Sequence, residues 1–323
     1  MVSFANFVCT FGDSGGMIDN WNIVGPAFLN DTFIRRYGAN EFYFYKTKIV
    51  NFENGDGPPM LAVCGRFVRN LKLIREQTVD VQGNLVKSPA YIPSSPSAYF
   101  VLMLNTHRLI YFAETTHAPD LKSFEATVAN FIKKVRARNI DNLLGDENVK
   151  YTKAKLNKKF PRPSVKVVPL SEREKIGEFI DRFSKVSVVK VKLIKPNHEL
   201  DASETVNAVR ATFGDMDPTQ LEITARNPEG LEVSEVKKVV SEAVVTGNTD
   251  VLLRGEDREG VRLNGSNNHF ALSTELDEIP DNDKGLRKTL FREYRRMVNQ
   301  GKIKLGVAFN HTSEVLKSIA DSL

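Results

Sequence analysis

The sequence predicts an α+β protein, with a β-rich N-terminal domain followed by a mixed α/β C-terminal domain that carries a long terminal helix. Segments rich in aromatic and β-branched residues fill the first half, whereas short strands alternate with helical patterns in the second half. The length of 323 residues also suits two domains of ordinary size. We place the N-terminal domain at residues 1–149, a basic linker at 150–163 and the C-terminal domain at 164–323.

The predicted N-terminal domain is built mainly from strands joined by short turns. Strand-like composition bounded by Gly, Pro, Asn or Asp occurs at residues 3–11, 41–50 and 60–68. Three prolines, which lack a backbone donor, predict a surface loop at residues 88–97. Residues 105–107 (Asn-Thr-His) predict the turn of a hairpin. Apolar residues at helical spacing then predict an amphipathic helix over residues 121–138 that ends the domain.

The predicted linker is strongly basic. Residues 150–166 contain seven Lys and Arg residues and no acidic residue. Like charges at this density repel each other, and Pro161 and Pro163 interrupt regular structure. We therefore expect a flexible linker here, with the domain boundary near residue 160.

The predicted C-terminal domain alternates helices with strands. Helical patterns occur at residues 171–183, 202–213, 234–245 and 284–299. Strand patterns occur at residues 165–168, 186–194, 221–225, 250–254, 260–263 and 269–276. Ser171, with Glu174 three residues later, resembles a capping box at the start of the first of these helices. Ser234 is predicted to cap the third helix.

Charge and cysteine content bear on where the protein acts. Lys and Arg exceed Asp and Glu by 45 to 40, so the formal net charge is +5. Cys9 and Cys64 are the only cysteines, which is typical of the reducing cytosol rather than of a disulfide-stabilised secreted protein. The first cationic residue is Arg35, and the longest apolar run, residues 98–104, is too short to cross a bilayer. We therefore expect a soluble, cytoplasmic protein.

The string from Gly12 to Gly16, Gly-Asp-Ser-Gly-Gly, resembles the serine motif of proteases and hydrolases. In the chymotrypsin-like order, histidine and aspartate precede the serine, but all five histidines follow Ser14. In an α/β-hydrolase several strands precede the nucleophile, and only one fits before Ser14. A glycine-rich turn after the first strand explains the glycines directly. We therefore interpret the string as a turn.

The sequence identifies no catalytic residue, metal ligand or cofactor-binding residue. No His-Glu-x-x-His, Cys-x-x-Cys or phosphate-loop pattern occurs. A metal-dependent nuclease of a defence system remains an alternative hypothesis. The residue types that such a site needs, carboxylates with a lysine, are present as Asp215, Asp217 and Glu222 with Lys237 or Lys238.

Basic residues gather in three places along the chain. The outer face of the helix predicted at 121–138 carries Lys133, Lys134, Arg136 and Arg138. The linker adds Lys153, Lys155, Lys158, Lys159 and Arg162. On the helix predicted at 284–299 an apolar arc lies opposite Lys288, Arg292, Arg295 and Arg296, and Lys302 extends this group. Grouped cations bind phosphates and release counterions, so we predict that these residues contact DNA.

The predicted contacts are to the DNA backbone. No zinc-finger spacing, clear helix-turn-helix or RNA-stacking motif occurs, so sequence preference should be weak. We predict a protein that binds duplex DNA without sequence specificity, as a homodimer that embraces the duplex. Replacing Arg292, Arg295 and Arg296 by Ala is predicted to weaken binding to all sequences and to flatten its salt dependence. A protein-interaction module whose basic faces are merely solvated is a further alternative.

The order of several segments resembles the RexA family, the phage-exclusion proteins of lambda-type prophages. The resemblance rests on residues 98–124 (AYFVLMLNTHRLIYFAETTHAPDLKSF), 186–194 (VSVVKVKLI), 221–240 (LEITARNPEGLEVSEVKKVV) and 250–263 (DVLLRGEDREGVRL), together with EYRRM at 293–297. It implies a two-domain protein that self-associates and binds DNA with little sequence preference. It also implies a membrane-protein partner in abortive infection. It assigns no individual contact residue.

Overall fold

The computed structural model describes residues 1–12, 14–52, 60–146, 151–194, 208, 211–213, 216, 218, 220–244, 247–305 and 310–321. It confirms a strand-rich α+β fold, in which a large antiparallel sheet and a second, smaller antiparallel sheet are combined with helices.

The described strands and helices are as follows in chain order. The strands are β1 (Val2–Thr10), β2 (Arg35–Tyr37), β3 (Asn40–Phe52), β4 (Met60–Val79), β5 (Leu85–Ser94), β6 (Ser97–Met103), β7 (Arg108–Ala113), β8 (Ser164–Pro169), β9 (Lys185–Ile194), β10 (Gln220–Leu231), β11 (Thr249–Glu256), β12 (Arg262–Ser266) and β13 (Ser273–Thr274). The helices are α1 (Trp21–Leu29), α2 (Leu121–Gly145), α3 (Lys153–Lys159), α4 (Arg173–Ile180), α5 (Val233–Ala243), α6 (Asp283–Asn299) and α7 (Asn310–Asp321).

The large sheet has the strand order β13-β1-β7-β6-β4-β3-β2, with β8 also paired to β1 and β5 to β4. Its side chains alternate strictly between two apolar clusters because successive residues of a strand point to opposite faces. On β6, for example, Phe100 and Leu102 enter one cluster, while Val101 and Met103 enter the other. Both faces of this sheet are therefore covered.

Different helices cover the two faces of the large sheet. Helices α1, α2 and α7 pack on the first face, where Phe124 of α2 contacts a group of buried phenylalanines that includes Phe44 and Phe100. Helix α6 packs on the second face through Leu290 and Tyr294. The large sheet is thus the middle layer of three, and α2 and α6 lie on opposite sides of it.

The small sheet has the order β10-β9-β11-β12. On its central strand β9, Val189, Val191 and Leu193 are buried against α4 and α5. Lys190 and Lys192 alternate with them and therefore point away from these helices. Only one face of this sheet joins the hydrophobic core.

The division between the two sheets does not follow the predicted boundary at residues 163 and 164. The described residues between 171 and 270 form the small sheet with α4 and α5, and we call this part the small lobe. The other described residues, before 171 and after 270, contribute to the large sheet or pack on it, and we call this part the large lobe. Strands β8 and β13 both pair with β1, so the small lobe is an insertion within the large lobe.

A buried polar network joins the lobes. The amide of Asn6 on β1 donates to the Asn248 side chain at 2.7 Å and to the Gly247 carbonyl at 3.3 Å. The guanidinium of Arg108, which is buried, donates to the Asn6 Oδ1 at 2.6 Å. Gly247 has φ +70, and a Cβ there would lie 2.6 Å from Leu170. The close approach of the lobes therefore requires glycine at this position.

The predicted loop at 88–97 is wrong, because β5 pairs with β4 from Leu85 to Ser94. Prolines are tolerated on an edge strand, where a missing N–H can face solvent. Pro93 lies opposite Lys72 within the ladder, and Pro89 lies at an irregularity of the pairing. These positions let a proline-rich segment form a strand.

In the second half of the chain, several predicted helix and strand boundaries differ from the structure. Helix α4 begins after Glu172 and α5 after Glu232, so neither Ser171 nor Ser234 is the cap. The strand predicted at 269–276 is a 3-10 turn at Asn267–Phe270 followed by the short β13. Helix α7 follows the predicted terminal helix. The helix predicted at 202–213 lies mostly outside the described residues.

Candidate nucleic-acid interface

The segment predicted as a flexible linker contains an anchored helix. The Thr152 side chain caps α3 by accepting from the Lys155 N–H, and Leu156 is its one buried residue, 1% exposed. From α2, the Arg136 guanidinium donates to the Phe160 carbonyl at 2.7 Å and the Pro161 carbonyl at 3.0 Å. A cap, an apolar anchor and these bonds at the helix end offset the repulsion among the lysines, so the linker prediction is wrong.

The basic side chains of α3 and of the residues that follow it are exposed to solvent. Lys153, Lys155, Lys158 and Arg162 are exposed, and none forms an ion pair with another described residue. Lys159 lies 5.4 Å from the centre of the Tyr151 ring. No acidic residue occurs between residues 151 and 171. We call this group the α3 surface; its members are Lys153, Lys155, Lys158, Lys159 and Arg162, together with the exposed Lys133 of α2.

The other basic residues predicted on α2 contact other parts of the fold, and of the three only Arg138 is exposed. Burial lowers the pKa of Arg136, and the nearby Arg162 lowers it further. Lys134 donates to the Ile34 carbonyl at 3.0 Å. The Arg138 guanidinium lies 4.7 Å from the centre of the Phe33 ring. These three side chains contact α3 or the segment between α1 and β2, and they are less available to a phosphate.

Helix α6 carries the third predicted group, and two of its members are bound to acids. Arg296 pairs with Glu293 at 2.6 Å and also donates to the Thr274 hydroxyl. Lys302 pairs with Glu172 of the small lobe at 2.5 Å. Lys288, Arg292 and Arg295 are exposed.

The structure does not bring the α6 group and the α3 surface together. Helix α2, which borders α3, and helix α6 pack on opposite faces of the large sheet. Since each layer adds about 10 Å, the two groups point in different directions across the molecule. One straight duplex cannot contact both groups on the same protomer.

The small sheet presents basic residues that the sequence analysis did not single out. Lys190, Lys192, Arg226 and Arg254 lie on the face opposite to α4 and α5. The alternation in VSVVKVKLI, with valine or leucine at every second position, is the signal that could have located two of them.

The described members of the alternative catalytic set do not form a site with one another. Gly12 and Gly15 have φ of +56 and +89, which supports the interpretation of their segment as a turn. Glu222 pairs with Lys190 at 2.7 Å, and Lys237 pairs with Asp181. Asp215 and Asp217 lie outside the described residues. Within the described part of the chain, no three His, Cys, Asp or Glu residues lie close enough to hold a metal ion.

No protein-family model matches the chain, and no curated protein sequence matches it. The RexA resemblance therefore stays a prediction. Among the helices that the structure describes, none combines the length and apolar character needed to cross a membrane.

Proposed function

We propose that this protein binds duplex DNA without sequence specificity, through contacts between the α3 surface and the phosphates. The observation that carries the proposal is a run of exposed cations on one anchored helix, with no acid between residues 151 and 171. Cations that form no ion pair with another described residue retain their attraction for a polyanion. Because they are already ordered on a helix, binding costs less conformational entropy than binding by a flexible linker.

The role proposed for this binding is phage exclusion by abortive infection, with a membrane-protein partner, as the RexA resemblance implies. The binding itself does not depend on that resemblance. Contacts made by Lys and Arg to phosphates would let the protein occupy any invading duplex.

Salt titration of variants tests the proposal. Each cation that neutralises a phosphate contributes about 0.9 to the slope of log affinity against log salt. We expect Lys155→Ala/Lys158→Ala/Arg162→Ala to lower the magnitude of this slope by about 2.7, for every duplex sequence tested. The matched control is Lys288→Ala/Arg292→Ala on α6, which we expect to keep the wild-type slope. Equal slopes for all three proteins, or a loss confined to the α6 variant, would overturn the assignment.

A second candidate function, protein–protein contact, is favoured by a different feature. Beyond Asn70, β4 pairs only with β5, and the two strands form a ribbon from Leu71 to Ser94. This ribbon exposes large apolar side chains, among them Val81 at 98%, Tyr91 at 71% and Leu85 at 66%. Exposed apolar surface of this kind is typical of protein interfaces. We propose that the ribbon is where two copies of the chain associate.

A further inference from the structure

The outward face of the small sheet has the pattern of a second anion-binding surface, an idea that builds on the DNA binding proposed above. Arg226 on β10 and Arg254 on β11 both lie opposite Val188 of β9, one on each side. Since neighbouring strands are about 4.8 Å apart, the two arginines lie about 10 Å apart on the same face. Both are exposed, and neither forms an ion pair with another described residue.

The neighbouring positions on this face also carry basic side chains, but acidic residues neutralise part of their charge. Lys190 and Lys192 share the carboxylate of Glu222, at 2.7 and 3.8 Å. Asp250 lies opposite Lys192 at the end of the face, and Glu256 lies opposite Arg262 at the other end. Cations outnumber acids over the whole face, and Arg226 and Arg254 are the pair with most freedom to contact a ligand.

The outward face and the segment that follows α3 border the same cleft. This cleft has a volume of about 650 Å³ and includes Lys166 of β8, together with Ile194, Asp250 and Ser266 at the end of the small sheet. Partial burial raises the pKa of Asp250, while Lys192 from the small sheet and Lys166 from the large sheet oppose the increase. Glu125, which pairs with Lys166 at 3.0 Å, adds to the increase, so charges of both signs from the two lobes meet at this junction.

We propose that the outward face of the small sheet is a second contact surface for duplex DNA, with Arg226 and Arg254 contacting phosphates. A duplex held by the α3 surface then extends across the cleft and over the small lobe. Binding of single strands normally relies on aromatic side chains on which bases stack. The outward-facing residues of these strands include no aromatic residue, so the surface fits a duplex backbone rather than exposed bases.

The length of the duplex separates the two surfaces in an experiment. A duplex of about 8 base pairs is roughly 27 Å long and is expected to occupy only one surface, whereas one of about 25 base pairs spans both. On the long duplex, we expect Arg226→Ala/Arg254→Ala to lower the magnitude of the salt slope by about 1.8. On the short duplex, which can occupy either surface, the same variant should still bind through the α3 surface. Thermal unfolding checks that this variant and Lys155→Ala/Lys158→Ala/Arg162→Ala keep the fold.

The outcomes distinguish this inference from the function on which it rests. A wild-type slope for Arg226→Ala/Arg254→Ala on the long duplex, with a reduced slope for Lys155→Ala/Lys158→Ala/Arg162→Ala, would overturn only the second surface. An unchanged slope for the α3 variant and a reduced slope for the Arg226 and Arg254 variant would place the DNA on the small lobe and overturn the proposed α3 contact. Absence of binding by the wild-type protein would overturn both.

Discussion

Single side chains decide whether a basic residue can still contact a phosphate. Arg296 and Lys302 looked equivalent to Lys158 in the sequence, yet each pairs with a carboxylate within the fold. The partner of Lys302 is Glu172, which lies 130 residues away along the chain, and only the packing of the two lobes brings them together. The sequence therefore located positive charge correctly but could not show which cations the fold itself neutralises.

The ion pair of Glu172 predicts a dependence of stability on pH. Burial alone would raise the pKa of Glu172, but hydrogen bonds from Lys302 and Lys175 outweigh it and leave the pKa lowered from 4.5. A group whose pKa is lower in the folded state stabilises the protein above its unfolded pKa. That stability is lost as the pH falls through the folded value.

We expect Glu172→Gln to be less stable than wild type at neutral pH, by on the order of 1 kcal/mol. The difference should shrink as the pH falls below 4.5, the ordinary pKa of the carboxyl. Urea unfolding of both proteins at several pH values measures it. Glu229→Gln, at an exposed position of β10, is the control and should match wild type. A difference that persists at low pH would show that Glu172 acts through packing instead of charge.

Helices and strands with a clear period were predicted well, and those that depend on distant contacts were not. The apolar spacing located α2 and α6, and the alternation in VSVVKVKLI located β9. Helix α3 has only one buried residue, Leu156, so its sequence lacks the apolar periodicity that predicts a helix. Its order depends on Arg136, which belongs to another helix. The prolines of β5 led to the prediction of a loop, although an edge strand tolerates prolines.

The ribbon formed by β4 and β5 makes a prediction about assembly. A two-stranded ribbon is marginally stable alone, and its apolar side chains gain stability when a partner covers them. Strand pairing through the outer edge of β5 is opposed by Pro89 and Pro93, so the faces of the ribbon are the expected contact.

We expect wild-type protein to form dimers at micromolar concentrations, and Leu73→Lys/Ile92→Lys to be monomeric by sedimentation equilibrium. These two residues lie opposite each other on one face of the ribbon. The control is Val239→Lys/Val261→Lys, which places the same charges at exposed positions of the small lobe. A monomeric wild-type protein, or a ribbon variant that stays dimeric, would refute association through this face.

The arrangement of the whole chain follows from pairings that no local pattern encodes. The sequence suggested one domain after another, whereas β8, β13 and α6 return to the large sheet after the basic segment. Short strands such as β13 pair through only two residues. Their place in the sheet is set by long-range contacts. The order of segments along the chain therefore could not predict how the chain divides into the two lobes.

The network around Asn6 is expected to hold the two lobes at a fixed angle. Asn6→Leu removes the acceptor of a buried Arg108 hydrogen bond and both bonds to residues 247 and 248. Buried donors left without acceptors are costly, so we expect a loss of about 2–4 kcal/mol in the free energy of unfolding. Amide hydrogen exchange at β11 should also become faster than in wild type.

The control for this change is Asn299→Leu at an exposed position of α6. Surface substitutions of this kind usually change stability by no more than about 0.5 kcal/mol. Similar stability for both variants would show that the polar network is not what fixes the lobes.

The position of β1 in the large sheet has a consequence for synthesis of the protein. This strand is synthesised before its neighbours β7, β8 and β13, which lie at residues 108–113, 164–169 and 273–274. Until then its apolar side chains and open edges are available to other nascent chains. We therefore expect the large sheet to be completed only after β13 has been synthesised.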